Sequence, residues 1–197
     1  MNTITKAEMD ILTLIAKSPE MDYNANSIAK AVGITPMGAL KILKRLEKES
    51  ILISKKIGRI AIYRINTKEQ YTIDYVSLLL SREPLHSRPN IKRWTNEIKN
   101  IKNADIAILY GSLLRNENPN DIDVLLITDK ERFAILEEEI KKINKVNIKK
   151  IHPLYQTFAD IVNNIKARDK PLLNAIKGII VFGQIKFIEV YNESRKE

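Results

Sequence analysis

Polar and apolar positions in the first third of the chain repeat with a helical period. Residues 5–17 open with Thr5 and Glu8, spaced as the two members of a capping box, and continue with an apolar stripe. A second, shorter helix is expected to start at an N-cap that is either Asn24 or Asn26 and to end at Gly33. Two short amphipathic helices are therefore predicted before residue 34.

A third helix and a hairpin follow. Thr35 is a preferred N-cap residue and Pro36 suits the first helical position, so residues 35–50 are expected to be helical. Its apolar positions, which we assign to the core, are Leu40, Leu43 and Leu46. Residues 51–66 alternate between apolar and polar, turn at Gly58 and alternate again, which predicts a β-hairpin.

The pattern changes again in the remainder of the chain. An apolar helix ends at Pro84, and another helix follows Pro89. Apolar runs typical of strands then alternate with helical segments, which predicts a small α/β domain. Strands are expected at residues 104–112, 121–129 and 145–155, and helices at 131–143 and 157–178. The fold class is therefore a two-domain protein, α+β and then α/β, with residues 1–68, a helical connector at 69–89, and residues 90–197.

The excess of positive charge lies in the first half of the chain. The net charge is +9, of which residues 1–70 carry +5, residues 71–103 carry +3 and residues 104–197 carry +1. This distribution favours a polyanionic partner for the first half, although a chain rich in lysine throughout accounts for the charge equally well.

Composition excludes several classes of protein. The chain has no cysteine, so neither a disulfide framework nor a thiolate metal site is expected. It has no run of about 18 apolar residues and no signal-peptide pattern at its start. We therefore expect a cytoplasmic protein that does not bind a membrane.

The order helix, helix, turn, helix, hairpin is that of a winged helix-turn-helix. Residues 5–66, and most closely "NSIAKAVGITPMGALKILKRLEKESIL", resemble DNA-binding regulators of the MarR and ArsR kind. With the third helix in the major groove, the residues expected to face bases are Thr35, Met37, Gly38 and Lys41. Those expected to reach phosphates or the neighbouring groove are Lys44, Arg45, Lys55, Lys56 and Arg59.

An alternative reading is a winged helix that contacts only proteins, with its lysines solvated. From Thr35 to Ile65 eight basic residues stand against two acidic ones, which favours duplex DNA. Such regulators usually bind two-fold sites as homodimers. The apolar side of the next helix is a candidate dimer contact, unless it packs on its own chain; it consists of Ile73, Val76, Leu79 and Leu80.

The segment "LYGSLLRNENPNDIDVLLITD", residues 109–129, contains a possible phosphate and metal site. An apolar strand ends at Gly111 and Ser112, where backbone N–H groups and a hydroxyl can bind phosphate. Asp121 and Asp123 are expected on one face of the next strand, with Ile122 buried on the other. Two carboxylates on one face suit Mg²⁺, which often bridges carboxylates and substrate phosphates.

The same segment resembles the nucleotidyltransferase superfamily of DNA polymerase beta, especially its minimal prokaryotic members. The likeness extends over about residues 90–190 and rests on the Gly-Ser pair, Arg115 and the Asp-x-Asp motif. It implies nucleotide binding by Gly111, Ser112 and Arg115. It also implies that Asp121 and Asp123 are metal ligands and catalytic residues for Mg²⁺-dependent transfer.

One part of that family's pattern is missing. Active members carry a third carboxylate on the third strand, whereas residues 145–158, "KVNIKKIHPLYQTF", contain no acidic residue. Lys149 and Lys150 stand near the expected position, and the next acid is Asp160. His152 could act as a base, although a single histidine near a strand end is more often structural. Transfer activity is therefore in doubt.

These patterns predict a DNA-binding transcription regulator whose second domain binds a Mg²⁺-nucleoside triphosphate or serves only in assembly. The alternative is an active nucleotidyltransferase, similar to antitoxins that modify a toxin partner, which moves a nucleotide onto a protein, RNA or small-molecule hydroxyl. A third possibility is an interaction protein that uses neither site.

Overall fold

A computed structural model describes residues 4–116 and 118–196. The chain forms two compact units, residues 1–79 and residues 80–197. Their border falls within the predicted connector, and the connector's own limits at 69 and 89 remain a prediction. No helix in the described residues has the length and apolar character needed to cross a membrane.

The first unit has the predicted order of elements. These are α1 (Lys6–Ala16), α2 (Ala25–Val32), α3 (Pro36–Lys48), β1 (Leu52–Ile57), β2 (Ile60–Ile65) and the start of α4 (Gln70–Arg82). Thr5, Asn24 and Thr35 cap the three helices, as their residue types predict. The strands are antiparallel, and Gly58 opens the two-residue turn between Ile57 and Ile60 with a φ of +59°. These elements form a winged helix-turn-helix.

One predicted core position is wrong. Leu43 and Leu46 are fully buried, but the side chain of Leu40 is 37% exposed, and Ala39 takes the inner position. Residues three apart on an α-helix are offset by about 60°, so the three leucines span about 120° of the helix surface. Only the part of that arc with Leu43 and Leu46 faces the core.

The apolar side of α4 is also buried rather than free. Val76, Leu79 and Leu80 have at most a few per cent of their surface exposed. The hydroxyl of Thr72 donates to the carbonyl oxygen of Ser50 at 3.1 Å, which fixes the start of α4 on the first unit. These three residues therefore pack within the chain, which is the alternative expected from the sequence, while Ile73 is half-buried. The dimer itself stays a prediction.

The second unit is built around a four-stranded sheet. Its elements are α5 (Pro89–Ile98), β3 (Ile106–Tyr110), β4 (Ile122–Ile127), α6 (Phe133–Val146), β5 (Ile151–Gln156), α7 (Phe158–Lys166), α8 (Lys170–Ile176), β6 (Ile179–Phe182) and α9 (Gln184–Ser194). The strand order is β5-β4-β3-β6, with β4 and β5 parallel and β3 antiparallel to both of its neighbours. The sheet is therefore mixed.

The third predicted strand is shorter than expected. Residues 145 and 146 complete α6, and β5 begins only at Ile151. Asn144 explains the change of direction, because its side chain both donates to the carbonyl of Ile151 at 3.1 Å and accepts from the N–H of that residue at 2.7 Å. Lys149 and Lys150 therefore lie in a loop before the strand.

A buried carboxylate connects α1 to α3 in the first unit. Glu8 is only 2% exposed. It accepts hydrogen bonds from the backbone N–H and the hydroxyl of Thr5, both at 2.8 Å, and forms an ion pair with the guanidinium of Arg45. Because a carboxylate removed from water needs such partners, this cluster fixes the position of α3 relative to α1.

We predict that Arg45→Ala lowers the free energy of unfolding by about 2 kcal/mol, because it leaves the buried Glu8 carboxylate without a cation. Lys48→Ala, which removes an exposed cation from the same helix, should leave it nearly unchanged. Urea denaturation followed by circular dichroism measures both. Equal stability of the two variants would contradict the structural role of Arg45.

Candidate nucleic-acid interface and nucleotide site

The outward face of α3 combines basic and apolar side chains. Met37 is 75% exposed, and Leu40, Lys41, Lys44 and Lys48 continue the same face at helical spacing. This is the face that a winged helix can present to a groove of DNA. Exposed Leu40 was missed by the sequence analysis, which assigned every leucine of this helix to the core.

The first turn of α3 is fixed by its cap. The hydroxyl of Thr35 accepts the N–H of Gly38 at 3.1 Å. A Cβ atom on Gly38 would lie 3.0 Å from that hydroxyl oxygen, so a side chain there would press on the cap. Thr35 and Gly38 therefore shape the end of the helix that carries Met37, and the Thr35 hydroxyl is already engaged by the backbone.

The hairpin carries further exposed cations. Lys55, Lys56 and Arg59 lie on or beside its turn, and the apolar Ile57 and Ile60 close the turn between them. In the part of the chain that the structure describes, Lys41, Lys55 and Arg59 form no ion pair. Their charges are therefore available to an anionic partner.

Lys44 forms an ion pair within its own helix. Its ammonium group lies 3.0 Å from a carboxylate oxygen of Glu47, which raises the pKa of Lys44. Hydrogen bonds from Ser54 and then Lys44 lower the pKa of Glu47. The exposed Lys44–Glu47 pair is weak, so a phosphate can still compete for Lys44.

Arg45 does not fit the predicted contact with phosphate. Its guanidinium pairs with buried Glu8 and lies 3.9 Å from Glu49. Moving it to a DNA backbone would leave Glu8 buried without a cation. The physical reason for the difference is that a buried charge left without its partner destabilises the fold strongly.

In the second unit, the Gly-Ser pair forms the turn that follows β3. Residues Gly111–Leu114 make a single 3₁₀ turn, and Gly111 has a φ of +77°. A Cβ atom on Gly111 would lie 1.9 Å from Oδ2 of Asp123. The carboxylate of Asp123 therefore occupies the space that any larger residue would need, and the turn and the Asp-x-Asp motif are in direct contact.

The surroundings of Asp123 combine burial and charge. Asp123 lies opposite Tyr110 on β3 and opposite His152 on β5. Burial, and after it the charge of Asp123, raises the pKa of Tyr110. Asp121 lies just before β4 and is exposed, whereas Ile122 between the two aspartates is fully buried, as expected from the alternation of a strand.

The remaining predicted residues border this site. Arg115 follows the turn, is exposed, and donates its backbone N–H to the Ser112 carbonyl at 3.0 Å. The ammonium of Lys149 donates to the side-chain oxygen of Asn118 at 2.7 Å, in the loop that leads to Asp121. Lys150 instead donates to the carbonyl of Asn147 at 2.6 Å, near the end of α6. Of these two ammonium groups, that of Lys149 contacts the loop before the Asp-x-Asp motif, whereas Lys150 contacts the motif through its backbone carbonyl, which accepts the N–H of Ile122 at 3.0 Å.

Asp160 is not the missing carboxylate. It occupies the capping box of α7, where it accepts the N–H of Thr157 at 3.1 Å. The hydrogen bonds from Thr157 lower the pKa of Asp160. Gln156, the last residue of β5 before the Thr157 cap, pairs with Ile127 of β4. Ile127 lies four residues along β4 from Asp123, a distance of about 13 Å. Across residues 4–116 and 118–196, no three His, Asp or Glu side chains are grouped as a metal site.

The sequence analysis also missed Arg88. A guanidinium nitrogen of Arg88 donates to the carbonyl oxygen of Leu113, in the turn that starts at Gly111, at 3.1 Å. The two residues are 25 positions apart, and neither the pattern nor a motif connects them. Only the fold brings Arg88 to the Gly-Ser turn.

Comparisons with known proteins give limited similarity. No protein-family model and no curated protein matches the chain. A mutant of Lactococcus lactis ZitR is 16% identical with a TM-score of 0.35, and the match covers 51% of this chain and 64% of that one. MepR, a transcription regulator of the Staphylococcus aureus multidrug efflux pump MepA, is 16% identical with a TM-score of 0.36, covering 49% and 76%. A third structure is that of ZitR as a zinc-responsive MarR family member, 16% identical with a TM-score of 0.30, covering 50% and 74%.

ZitR is described as a MarR family member and MepR as a transcription regulator, and each matches about half of this chain. The chain spans less than two thirds of the first of them. At these TM-scores the similarity does not establish a common overall fold. The winged helix-turn-helix is therefore assigned from the order and pairing of the elements of the first unit themselves.

We predict that Gly111→Ala destabilises the protein more than Gly33→Ala. The two glycines have nearly equal φ angles, +77° and +76°, so both changes carry the left-handed penalty of about 1 kcal/mol. A Cβ on Gly33 meets nothing within 4 Å, whereas one on Gly111 collides with Asp123 and should cost about 1–3 kcal/mol more. Chemical denaturation gives the difference, and equal losses would show that Asp123 moves aside freely.

Proposed function

We propose that this protein is a DNA-binding transcription regulator that reads duplex DNA with α3 and the β1–β2 hairpin. The observation that carries the proposal is the exposed face of α3, where Met37 and Lys41 lie beside each other without an acidic partner. Lys55 and Arg59 extend the positive charge along the hairpin. A protein-contact domain does not require cations that are left without counter-charges on both of these elements.

The two elements would contribute differently to binding. Lys41 can hydrogen-bond to base edges, and the apolar side chains of Met37 and Leu40 can contact thymine methyl groups. Both kinds of contact give sequence preference. Cations of the hairpin contact phosphates, which gives affinity and salt dependence without sequence preference. Arg45 takes no part, because it is held by Glu8.

We predict that Lys41→Ala weakens binding to a preferred duplex, while Lys55→Ala or Arg59→Ala weakens binding to every duplex. Loss of one phosphate contact should reduce the slope of log affinity against log salt by about 0.9. Fluorescence anisotropy at several salt concentrations measures both effects. Lys142→Ala, an exposed change on α6, is the control.

Affinity that stays unchanged when Lys41, Lys44, Lys55 and Arg59 are all replaced by alanine would overturn the regulator proposal. We also propose that the regulator acts as a homodimer on two-fold DNA sites. Because the predicted α4 stripe is buried, the contact must use other residues. A monomer mass by light scattering at micromolar concentration would contradict the dimer.

We further propose that the second unit resembles a minimal nucleotidyltransferase and binds a nucleoside triphosphate with Mg²⁺. Support comes from the contact between the Gly111 turn and Asp123, with Asp121 next to it at the start of β4. Mg²⁺ is commonly held by one or two carboxylates together with substrate phosphates, so these two aspartates fit one ion. In that arrangement Gly111, Ser112 and Arg115 would face the phosphates, and the metal would offset their charge.

Transfer of the nucleotide is expected to be weak or absent. Two metal ions about 3.5–4 Å apart repel each other and need more negative charge than two aspartates provide. β5 contributes no carboxylate, Asp160 caps α7, and Lys149 adds a positive charge to the neighbouring loop. An active antitoxin-like enzyme would need an acid from a toxin-like partner protein, and no observation favours that arrangement over binding alone.

We predict Mg²⁺-dependent binding of ATP, GTP or CTP in calorimetry. Changing Asp121→Asn together with Asp123→Asn should remove the dependence on Mg²⁺, because both carboxylate charges are lost. The matched control is Glu131→Gln with Glu138→Gln, two exposed carboxylates of the same unit. Robust incorporation of labelled nucleotide into a protein or RNA, abolished by the aspartate changes, would instead make the protein an enzyme.

A further inference from the structure

A cavity of about 460 Å³ lies at the start of α5. Its lining includes Arg88, Pro89, Asn90 and Arg93, all in the second unit. Sites for small ligands have volumes of roughly 300–1,000 Å³, and this open groove lies within that range. We call it the arginine pocket.

The arginine pocket adjoins the Gly-Ser turn. Arg88 donates to the carbonyl of Leu113 at 3.1 Å, so it contacts the third residue of the turn. The first residue of the same turn, Gly111, is in contact with the carboxylate of Asp123. One 3₁₀ turn therefore touches an arginine of the pocket at one end and the Asp-x-Asp motif at the other.

The second arginine, Arg93, is held by contacts of its own. Arg93 donates to the side-chain oxygen of Asn147 at 3.1 Å, and its guanidinium lies 5.7 Å from the ring centroid of Trp94. Asn147 and Trp94 are both buried, so their positions are fixed by the core. The charge of Arg93 is thus anchored beside the pocket although its side chain is exposed.

Neither arginine is neutralised. In the described part of the chain, Arg88 and Arg93 bind only neutral acceptors, whereas Arg132 of the same unit pairs with the carboxylates of Asp105 and Asp129. A guanidinium has five N–H donors, so each arginine retains donors beyond its one hydrogen bond. Two cations lining one cavity repel each other, and an anion with several oxygens would relieve that repulsion and accept their donors.

We propose that the arginine pocket binds the polyphosphate chain of a nucleoside triphosphate. The inference rests on the proposed nucleotide site and adds the cations that would oppose the metal-binding carboxylates across the turn. Arg93 binds phosphate oxygens directly. Arg88 binds phosphate and also holds the turn through Leu113.

Calorimetry of the full chain with sodium tripolyphosphate in the absence of Mg²⁺ tests the pocket by itself. The wild-type protein should bind, and Arg93→Ala should bind about tenfold more weakly or worse, because it loses a charge-assisted hydrogen bond to phosphate. Lys92→Ala is the matched control, since it removes one exposed cation from the next position on α5. It should change the affinity by less than about twofold. Arg88→Gln, which retains a donor for Leu113, should weaken binding as well.

The outcomes separate this inference from the Mg²⁺ site. The double change at Asp121 and Asp123 should leave metal-free tripolyphosphate binding intact, and ATP should compete with tripolyphosphate. No binding of tripolyphosphate by the wild type, or equal affinities for Arg93→Ala and Lys92→Ala, would overturn the pocket while leaving the Mg²⁺ site standing. Affinity of Arg93→Ala for duplex DNA should be unchanged. A loss there equal to the loss for tripolyphosphate would assign the arginines to a DNA backbone and overturn the proposal.

Discussion

Glu8 is a carboxylate removed from water, and its need for a cation decides how the first unit presents α3. Thr5 supplies two hydrogen bonds, and Arg45 supplies the opposite charge. This pairing holds the C-terminal half of α3 against α1, while Met37 and Lys41, nearer the start of the helix, remain exposed. The surface proposed to read DNA therefore depends on a contact made further along the same helix.

The second unit uses the same constraint at the end of its sheet away from the Gly-Ser turn. Burial alone would raise the pKa of Asp105, but hydrogen bonds from Lys186 and Arg132 hold that pKa below its ordinary value. Those two cations are thereby neutralised within the fold. Arg88 and Arg93, at the other end of the sheet, are held by neutral oxygen atoms and keep their charge. Partly buried carboxylates thus determine which cations remain for ligands.

The Gly-Ser turn contacts both Arg88 and Asp123, which are far apart in the sequence. Asp123 fills the space beside Gly111, and Arg88 binds the carbonyl of Leu113. Under the proposal made above, a phosphate chain at this turn would meet positive charge on one side and the carboxylates of Asp121 and Asp123 on the other. On the same proposal, the lack of a third carboxylate would separate nucleotide binding from transfer.

The sequence by itself determined the order of the helices and strands and most of their limits, because caps, glycines and periodicity act over a few residues. Thr5, Asn24 and Thr35 begin the helices at the predicted places, and Gly58 turns the hairpin. The sequence also placed the Gly-Ser turn next to a strand and left β5 without an acid. Only the tertiary structure decided which side chains are buried or paired within the fold and which remain exposed. Leu40 faces outward, Arg45 is bound by Glu8, and the α4 stripe is buried. Each of these depends on a partner that is distant in sequence or on the direction of the core, and neither is encoded in local spacing.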